Sequence, residues 1–237
     1  MTFSETRLMS ATLPYGGRLL LGLPITPCRG VVIFTHGAGT GLINPCSGFI
    51  AKSLQRAGLA TVLVDLLTDD EAIYHERSNL PQTDAGNFGI PFLAERLGQG
   101  IAWTIEHLAR YYGLNHNLPL GFFASGNAAA AALLVAAQRT DVNAVVSGDG
   151  RPDLANNALT TVRAATLLIV GEENQELVAQ NQRAFRQLRC PRAIEIVPGT
   201  AEWVEKPAAL ETVVQLSRFW FLRYLVLNSV ETNQMAC

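Results

Sequence analysis

Cysteine is scarce in this sequence, and its spacing excludes one kind of site. The four cysteines among 237 residues are Cys28, Cys46, Cys190 and Cys237. They form no Cys-x-x-Cys pair and no cysteine–histidine cluster with zinc spacing, so no zinc site is predicted. We expect these residues to be free thiols in a reducing cytosol.

Long apolar runs are also missing. The most apolar late stretch, RFWFLRYLVL, is interrupted by Arg218 and Arg223. It is far shorter than the ~20 apolar residues that a membrane-spanning helix needs. The first ten residues, MTFSETRLMS, have no basic segment followed by an apolar one, so no signal peptide is predicted. We therefore expect a soluble, cytoplasmic protein.

The sequence also lacks an excess of charge of either sign. Charged residues make up 16% of the chain, and the formal net charge is −2. Like charges form no block along the sequence. Electrostatics therefore give no reason to expect a nucleic acid or an anionic membrane as partner.

The chain does contain a regular alternation of apolar strands and helices. Hydrophobic residues make up 49% of it, enough for a sizeable core, and the length fits a single α/β domain over 1–237. A hairpin is predicted around Tyr15-Gly16-Gly17, and a polar loop over 68–91. Strands are predicted at 30–35, 60–67, 118–123, 142–148, 165–170 and 193–197, and helices at 49–59, 92–112, 126–138, 175–189 and 207–228.

This alternation predicts where a site lies. Strands that are apolar throughout and alternate with helices indicate a mostly parallel sheet with helices on both faces. Such sheets bind ligands at the carboxyl ends of their strands. The candidate loops are therefore those after Thr35, Phe123, Val170 and Val197.

Seven segments carry a family resemblance, in order along the chain. They are VVIFTHGAGTG, AGLATVLVDLLT, LAERL, FFASGNAAAAALLVAA, AVVSGDGRPDLA, TLLIVGEE and VPGT. Together they resemble the dienelactone-hydrolase-like branch of the α/β hydrolases. The resemblance implies an eight-stranded, mostly parallel sheet and a Ser–Asp–His triad in that chain order. It also implies hydrolysis of esters or lactones without a cofactor.

Ser125 lies where this family has its nucleophile. A serine hydroxyl needs a base to take its proton and donors for the oxyanion that forms; the predicted donors are the backbone N–H groups of Gly126 and Ala38. Alternatively, Ser125 is the N-cap of the alanine-rich helix. The family's sharp turn has small residues two places before and after the serine, but here they are Phe123 and Asn127. We expect Gly126 to adopt the unusual backbone angles.

The other two positions of the triad are changed. By the resemblance, Asn174 occupies the position of the acid and Glu202 that of the histidine. Asparagine brings no negative charge to stabilise an imidazolium. A solvated glutamate, with a pKa near ~4.3, is a weak base for a hydroxyl. The resemblance therefore predicts a degenerate triad of Ser125, Asn174 and Glu202.

Other side chains offer alternatives to the missing base. His36, in the turn after the first buried strand, and His75, in the polar loop, emerge at the carboxyl edge of the sheet and are assigned to the pocket. His107 and His116 do not. Glu202 also has a second interpretation: desolvated beside Trp203 in the pocket, it would act as a general acid or base without an acyl-enzyme.

The segment SGDGRPDLA follows another strand. We predict a structural ion pair between Arg151 and Asp153. Asp149 takes a position where the family usually has a small residue.

The sequence thus predicts an α/β-hydrolase fold that retains a small-molecule pocket, as a binding protein or a non-hydrolytic enzyme of isomerase, cyclase or lyase type. The alternative is an ester or lactone hydrolase that uses Ser125 with an atypical base. No metal, cofactor, nucleic acid or membrane is expected as partner, and a homodimer is left open.

Overall fold

The computed structural model describes residues 7–35, 45–77, 88–113 and 118–227. Eight strands run through these ranges and form one sheet, in the order β1-β2-β4-β3-β5-β6-β7-β8. The first strand pairs antiparallel with the second and the second with the fourth, and the remaining pairs are parallel. The strands are β1 (Arg7–Thr12), β2 (Arg18–Leu23), β3 (Val31–Thr35), β4 (Ala60–Val64), β5 (Leu120–Gly126), β6 (Val142–Gly150), β7 (Ala165–Gly171) and β8 (Arg192–Val197).

Helices cover both faces of this sheet, as predicted. The α-helices of the described ranges are α1 (Pro45–Arg56), α2 (Asp69–Arg77), α3 (Ile90–Tyr112), α4 (Ala128–Gln138), α5 (Gln175–Gln187) and α6 (Pro207–Phe221). Helices α3, α4 and α5 contribute to the core on one face, and α1 and α6 to the core on the other. The end of α6 passes into a π-helical turn over Leu222–Leu227. No helix in the described part of the chain is long and apolar enough to cross a membrane.

Helix α4 lies in the interior because its side chains are small. Its first five residues are alanines, and all five are fully buried. Alanine is the best helix former and needs little space, so the helix packs closely against α3, the sheet and a 3-10 segment at Pro152–Thr160.

The polar loop predicted over 68–91 is wrong in its first part, because Asp69–Arg77 form α2. This helix begins with a capping box: Thr68 N–H donates to Glu71 Oε2 over 2.9 Å, and Glu71 N–H donates to Thr68 Oγ1 over 3.3 Å. Such a cap satisfies backbone donors that have no partner inside the helix. A helix with so few apolar residues has no clear hydrophobic periodicity, which explains the incorrect prediction. His75 therefore lies in a helix.

Strands β5 and β6 extend further than predicted and end with a shift of register. Ala124 is opposite Ser147, whereas Gly126 is opposite Gly150. Over this interval β5 advances by two residues and β6 by three, which is a β-bulge with its extra residue on β6. Bulges redirect side chains at sheet edges and are common beside functional sites.

A partly buried ion pair holds α2 and α3 at the carboxyl end of β4. Arg96 Nη2 donates to Glu71 Oε1 over 3.0 Å. The guanidinium carbon lies 3.9 Å from the centre of the Tyr15 ring and 4.6 Å from that of Phe92. The Tyr15 hydroxyl in turn donates to the Asp65 carbonyl over 2.7 Å. This group of contacts joins the hairpin, the β4 loop and both helices.

We expect Arg96→Met to lower the free energy of unfolding by about 2 kcal/mol, because it removes the cation–π contacts and leaves Glu71 without its cation. Urea unfolding followed by circular dichroism measures this change. The matched control is Arg110→Met on the same helix, where an exposed pair with Glu106 spans 3.8 Å; there we expect less than about 0.5 kcal/mol. Equal stability of the two variants would contradict the role given to Arg96.

Candidate functional site

The turn between β5 and α4 has its left-handed residue at Gly126, where φ is +54°. This confirms the expectation that Gly126 adopts the unusual backbone angles. Ser125 is half-buried and lies one position before this apex, still within β5. Counted from Gly126, the residues two places before and after are Ala124 and Ala128. Both are small and buried, as a sharp strand-to-helix turn requires.

The contacts around this turn show how it is fixed in place. The Gly126 carbonyl accepts a hydrogen bond from Arg151 N–H over 2.9 Å. The N-cap of α4 is Asn127 and not Ser125, so the alternative role predicted for the serine is wrong. A Cβ on Gly150, which pairs with Gly126, would lie 2.2 Å from Ser147 Oγ and 2.4 Å from Ala129 Cβ. Glycine is therefore needed at position 150.

Asn174, which occupies the predicted acid position, is the N-cap of α5. Its Oδ1 accepts a hydrogen bond from Leu177 N–H over 3.1 Å. This oxygen is thus used to satisfy a backbone donor in the first turn of the helix. The structure gives Asn174 a local structural contact that explains an asparagine at this position.

Glu202, which occupies the predicted histidine position, has an exposed side chain, whereas the following Trp203 is buried. The backbone carbonyl of Glu202 accepts a hydrogen bond from Thr200 Oγ1 over 2.5 Å. The Trp203 ring packs perpendicular to Phe123, with 6.1 Å between ring centres. The interpretation of Glu202 as a desolvated carboxylate beside Trp203 is therefore wrong.

Asp149 is the carboxyl that is partly removed from water at the carboxyl edge of the sheet. It is half-buried and has φ of +45°, which is rare for a residue other than glycine. Its Oδ1 accepts from Gly171 N–H over 2.9 Å, and its Oδ2 accepts from Trp203 N–H over 3.0 Å. One side chain thus joins the end of β6 to the end of β7 and to the loop after β8.

Burial raises the pKa of Asp149 from its ordinary value of 3.8 to about 6. The N–H groups of Trp203 and Gly171 lower this pKa, while the nearby charges of Glu202 and Glu205 raise it. A perturbed carboxyl on strained backbone at the carboxyl edge of a parallel sheet is a candidate functional group. In the sequence, Asp149 is only a departure from the family pattern, and that pattern predicts no role for it. The carboxyl in place of a small residue is the feature of the sequence that could have indicated a role for Asp149.

Comparison with known proteins agrees with this architecture. The crystal structure of a dienelactone hydrolase from Anabaena variabilis is 36% identical, with a TM-score of 0.81 over 94% of this chain and 100% of that one. The chain belongs to the dienelactone hydrolase family of the α/β hydrolases. A carboxyl esterase from Tuber melanosporum shares the fold at 16% identity, with a TM-score of 0.67 over 93% of this chain and 87% of the esterase. No protein-family model matches the chain.

A second kind of relative is known from sequence. Proteins from two strains of Mycobacterium tuberculosis, which carry the provisional name of phosphoribosyl transferase, are 37% identical over 222 residues. The match covers 93% of this chain but only 46% of those proteins. This chain therefore spans about half the length of these relatives.

The remaining family positions are only partly within the described ranges. His36 and Ala38 lie outside them, as does His116, so the roles predicted for the first two stay predictions. His107 lies in α3 between Trp103, on which it stacks, and the tilted ring of Tyr111, with 4.4 Å between ring centres on each side. Burial lowers the pKa of His107, and Glu106 opposes this shift. Because α3 ends on the side where β5 begins, this imidazole is remote from the carboxyl edge.

The ion pair predicted in SGDGRPDLA is confirmed. Arg151 Nε and Nη2 each donate to one carboxylate oxygen of Asp153, both over 2.9 Å. This pair fixes the backbone directly after β6. No group of three or more His, Cys, Asp or Glu side chains that could hold a metal ion occurs among the residues that the structure describes.

Asp149→Asn tests the ionisation of this carboxyl. Because its pKa in the folded protein, about 6, lies above the ordinary 3.8, the folded state binds the proton more tightly. The resulting stabilisation is fully present below about pH 4 and is lost as pH rises through 6. Between pH 4 and 7, the free energy of unfolding of the wild type should therefore fall by about 2 kcal/mol relative to the variant.

Urea unfolding at several pH values measures this difference. Asp141→Asn, an exposed position just before β6, is the control for removal of a carboxylate. If the difference in free energy of unfolding between the wild type and Asp149→Asn stayed constant from pH 4 to 7, the raised pKa of Asp149 would be contradicted.

Asn174→Ala should destabilise the protein by about 1 kcal/mol, because it removes the side-chain acceptor at the start of α5. Asn174→Asp keeps an acceptor there and should be at least as stable as the wild type. Thermal unfolding of the three proteins provides the comparison. If Asn174→Ala caused no loss, the capping role would be wrong.

Proposed function

We propose that this family member has lost ordinary serine-triad hydrolysis. In this proposal, the carboxyl ends of β5 to β8 form a small-molecule site, either for binding or for a non-hydrolytic reaction. The observation that carries the proposal is the position of the turn: its left-handed residue is Gly126 and not Ser125. In α/β hydrolases the nucleophile is the residue on the strained strand-to-helix turn. Glycine at that position has no side chain and therefore no hydroxyl that could attack a substrate.

The two other triad positions support this proposal. Asn174 Oδ1 is occupied by Leu177 N–H, and an amide has no charge to stabilise an imidazolium. Glu202 is exposed, where a carboxylate is a weak base for a serine hydroxyl. Loss of the base of a serine triad lowers turnover by about 10⁶ in a well-studied case, so these substitutions together favour very slow hydrolysis.

The charge at the edge of the site bears on the class of ligand. The loops after β7 (171–174) and β8 (198–206) carry four exposed glutamates: Glu172, Glu173, Glu202 and Glu205. Lys206 is the one basic residue in these two loops. This arrangement favours an uncharged or cationic ligand over an anion. The phosphoribosyl transfer in the relatives' name would require an anionic, phosphorylated substrate, which this charge disfavours, and the match covers only 46% of the length of those relatives.

The test combines a fluorophosphonate probe with p-nitrophenyl acetate as substrate. We expect no probe labelling of the wild type, and equal ester turnover by the wild type and Ser125→Ala. A serine esterase that reacts with the probe, treated in parallel, is the positive control for labelling. Labelling that disappears in Ser125→Ala would overturn the proposal and establish a serine hydrolase with an atypical base.

In that event His36→Ala and His75→Ala would identify the base. If one histidine variant loses labelling to the same extent as Ser125→Ala, the histidine replaced in that variant is the proton acceptor. If both histidine variants were labelled at the wild-type rate, the base would be another group.

A further inference from the structure

Two backbone N–H groups from separate segments of the chain bind the same carboxylate. Gly171 N–H, at the last residue of β7, donates to Asp149 Oδ1 over 2.9 Å, and Trp203 N–H, after β8, donates to Asp149 Oδ2 over 3.0 Å. Each donor therefore has its own oxygen, which is how a pair of N–H groups recognises a planar carboxylate. The spacing of the two donors depends on how the ends of β7 and β8 pack together.

Hydrogen bonds that do not involve the Asp149 side chain also hold these two ends together. In the segment after β8, Gly199 N–H donates to Glu172 Oε2 over 3.1 Å, and the Thr200 carbonyl accepts from Glu173 N–H over 3.0 Å. Both bonds join the loop after β7 to the loop after β8. The donor pair should therefore keep its geometry when the side chain at position 149 is removed.

Packing fixes the same two loops. A Cβ on Gly171 would lie 2.5 Å from the Ala201 carbonyl oxygen, so the backbone after β8 is in direct contact with the end of β7. The Trp203 ring is buried and packs against Phe123, and a Cβ on Gly148 would lie 3.0 Å from Trp203 Nε1. An indole held so closely on the sheet keeps its own backbone N–H in place.

We propose that the N–H groups of Gly171 and Trp203 form a carboxylate-binding site that the chain fills with its own Asp149, and that this side chain excludes carboxylate ligands from the edge. Asp149 is thus a specificity-determining residue. The inference deepens the proposed function, because it names a class of ligand that the same edge rejects. It rests on the proposed function only in treating this edge as the ligand site.

The surroundings of the donor pair favour an attached carboxylate over a free one. Burial raises the pKa of Asp149 and thus disfavours an anion at this place. The two N–H groups favour an anion, whereas the charges of Glu202 and Glu205 oppose it. Because Asp149 is part of the chain, its effective concentration at the donors is high. A carboxylate from solution lacks this advantage, so it should bind weakly even when the side chain is absent.

Asp149→Gly tests the proposal, with acetate as the probe. The substitution removes a methylene carboxylate group, and acetate carries the same carboxylate on a methyl group. The variant should fold, because glycine adopts the φ of +45° at this position without strain. In amide proton–nitrogen spectra at pH 8, we expect acetate to shift the signals of Gly171 and Trp203 saturably in the variant and not in the wild type. Acetamide, the neutral analogue, should shift neither signal.

Matched variants separate a binding site from a general change of structure. Asp149→Asn fills the same space with a neutral side chain, so it should show no response to acetate. Adding Glu202→Gln and Glu205→Gln to Asp149→Gly removes repulsion and should tighten acetate binding about threefold. Asp141→Asn, at an exposed position, should behave as the wild type does. Circular dichroism of each protein verifies that it is folded.

The proposal would be overturned if acetate shifted neither signal in Asp149→Gly, if acetamide shifted both equally well, or if acetate shifted both in the wild type. Should Asp149→Gly be unfolded, acetate but not acetamide must restore the folded circular dichroism spectrum, and failure of that rescue would also overturn the proposal. These readouts do not depend on Ser125: a labelled serine would overturn the proposed function and leave acetate binding unchanged.

Discussion

The pairing of β5 with β6 is the constraint on which the candidate site depends. The two strands run in parallel until Ala124 and Ser147, and then β6 takes one residue more than β5 before Gly126 meets Gly150. This bulge sets the end of β5, so that the left-handed residue is Gly126. It also gives Asp149 a positive φ and places its carboxylate between β7 and the loop after β8. Packing at Gly150 leaves no space for a side chain that would shift this register.

The chemistry of the edge follows from that geometry. In serine hydrolases of this fold, the serine, acid and histidine converge at the carboxyl ends of the strands. In this chain those loops also converge, but the side chain that joins them is a carboxylate from β6. A buried carboxylate accepts hydrogen bonds from backbone N–H groups and thereby holds loops together, whereas an imidazole is needed to activate a hydroxyl. The same fold therefore connects these loops through a different set of polar groups.

Much of the fold was predictable because its signals are local. The buried strands are apolar throughout, and the order of strands and helices indicates a parallel sheet. Arg151 and Asp153 are two residues apart, so their ion pair could be predicted from spacing. Helix α2 was not predicted, because it has few apolar residues and begins with a capping box whose two hydrogen bonds depend on backbone geometry.

By itself the sequence determined the fold class and the family, since both depend on residue identity and order. Only the tertiary structure decided that Ser125 lies one position before the apex of the turn, that Asn174 caps a helix and that Glu202 is exposed. It also showed that Asp149 is the carboxyl removed from water. Burial, strand register and hydrogen bonds between distant loops arise from contacts across the sheet, and no local pattern of residues specifies them.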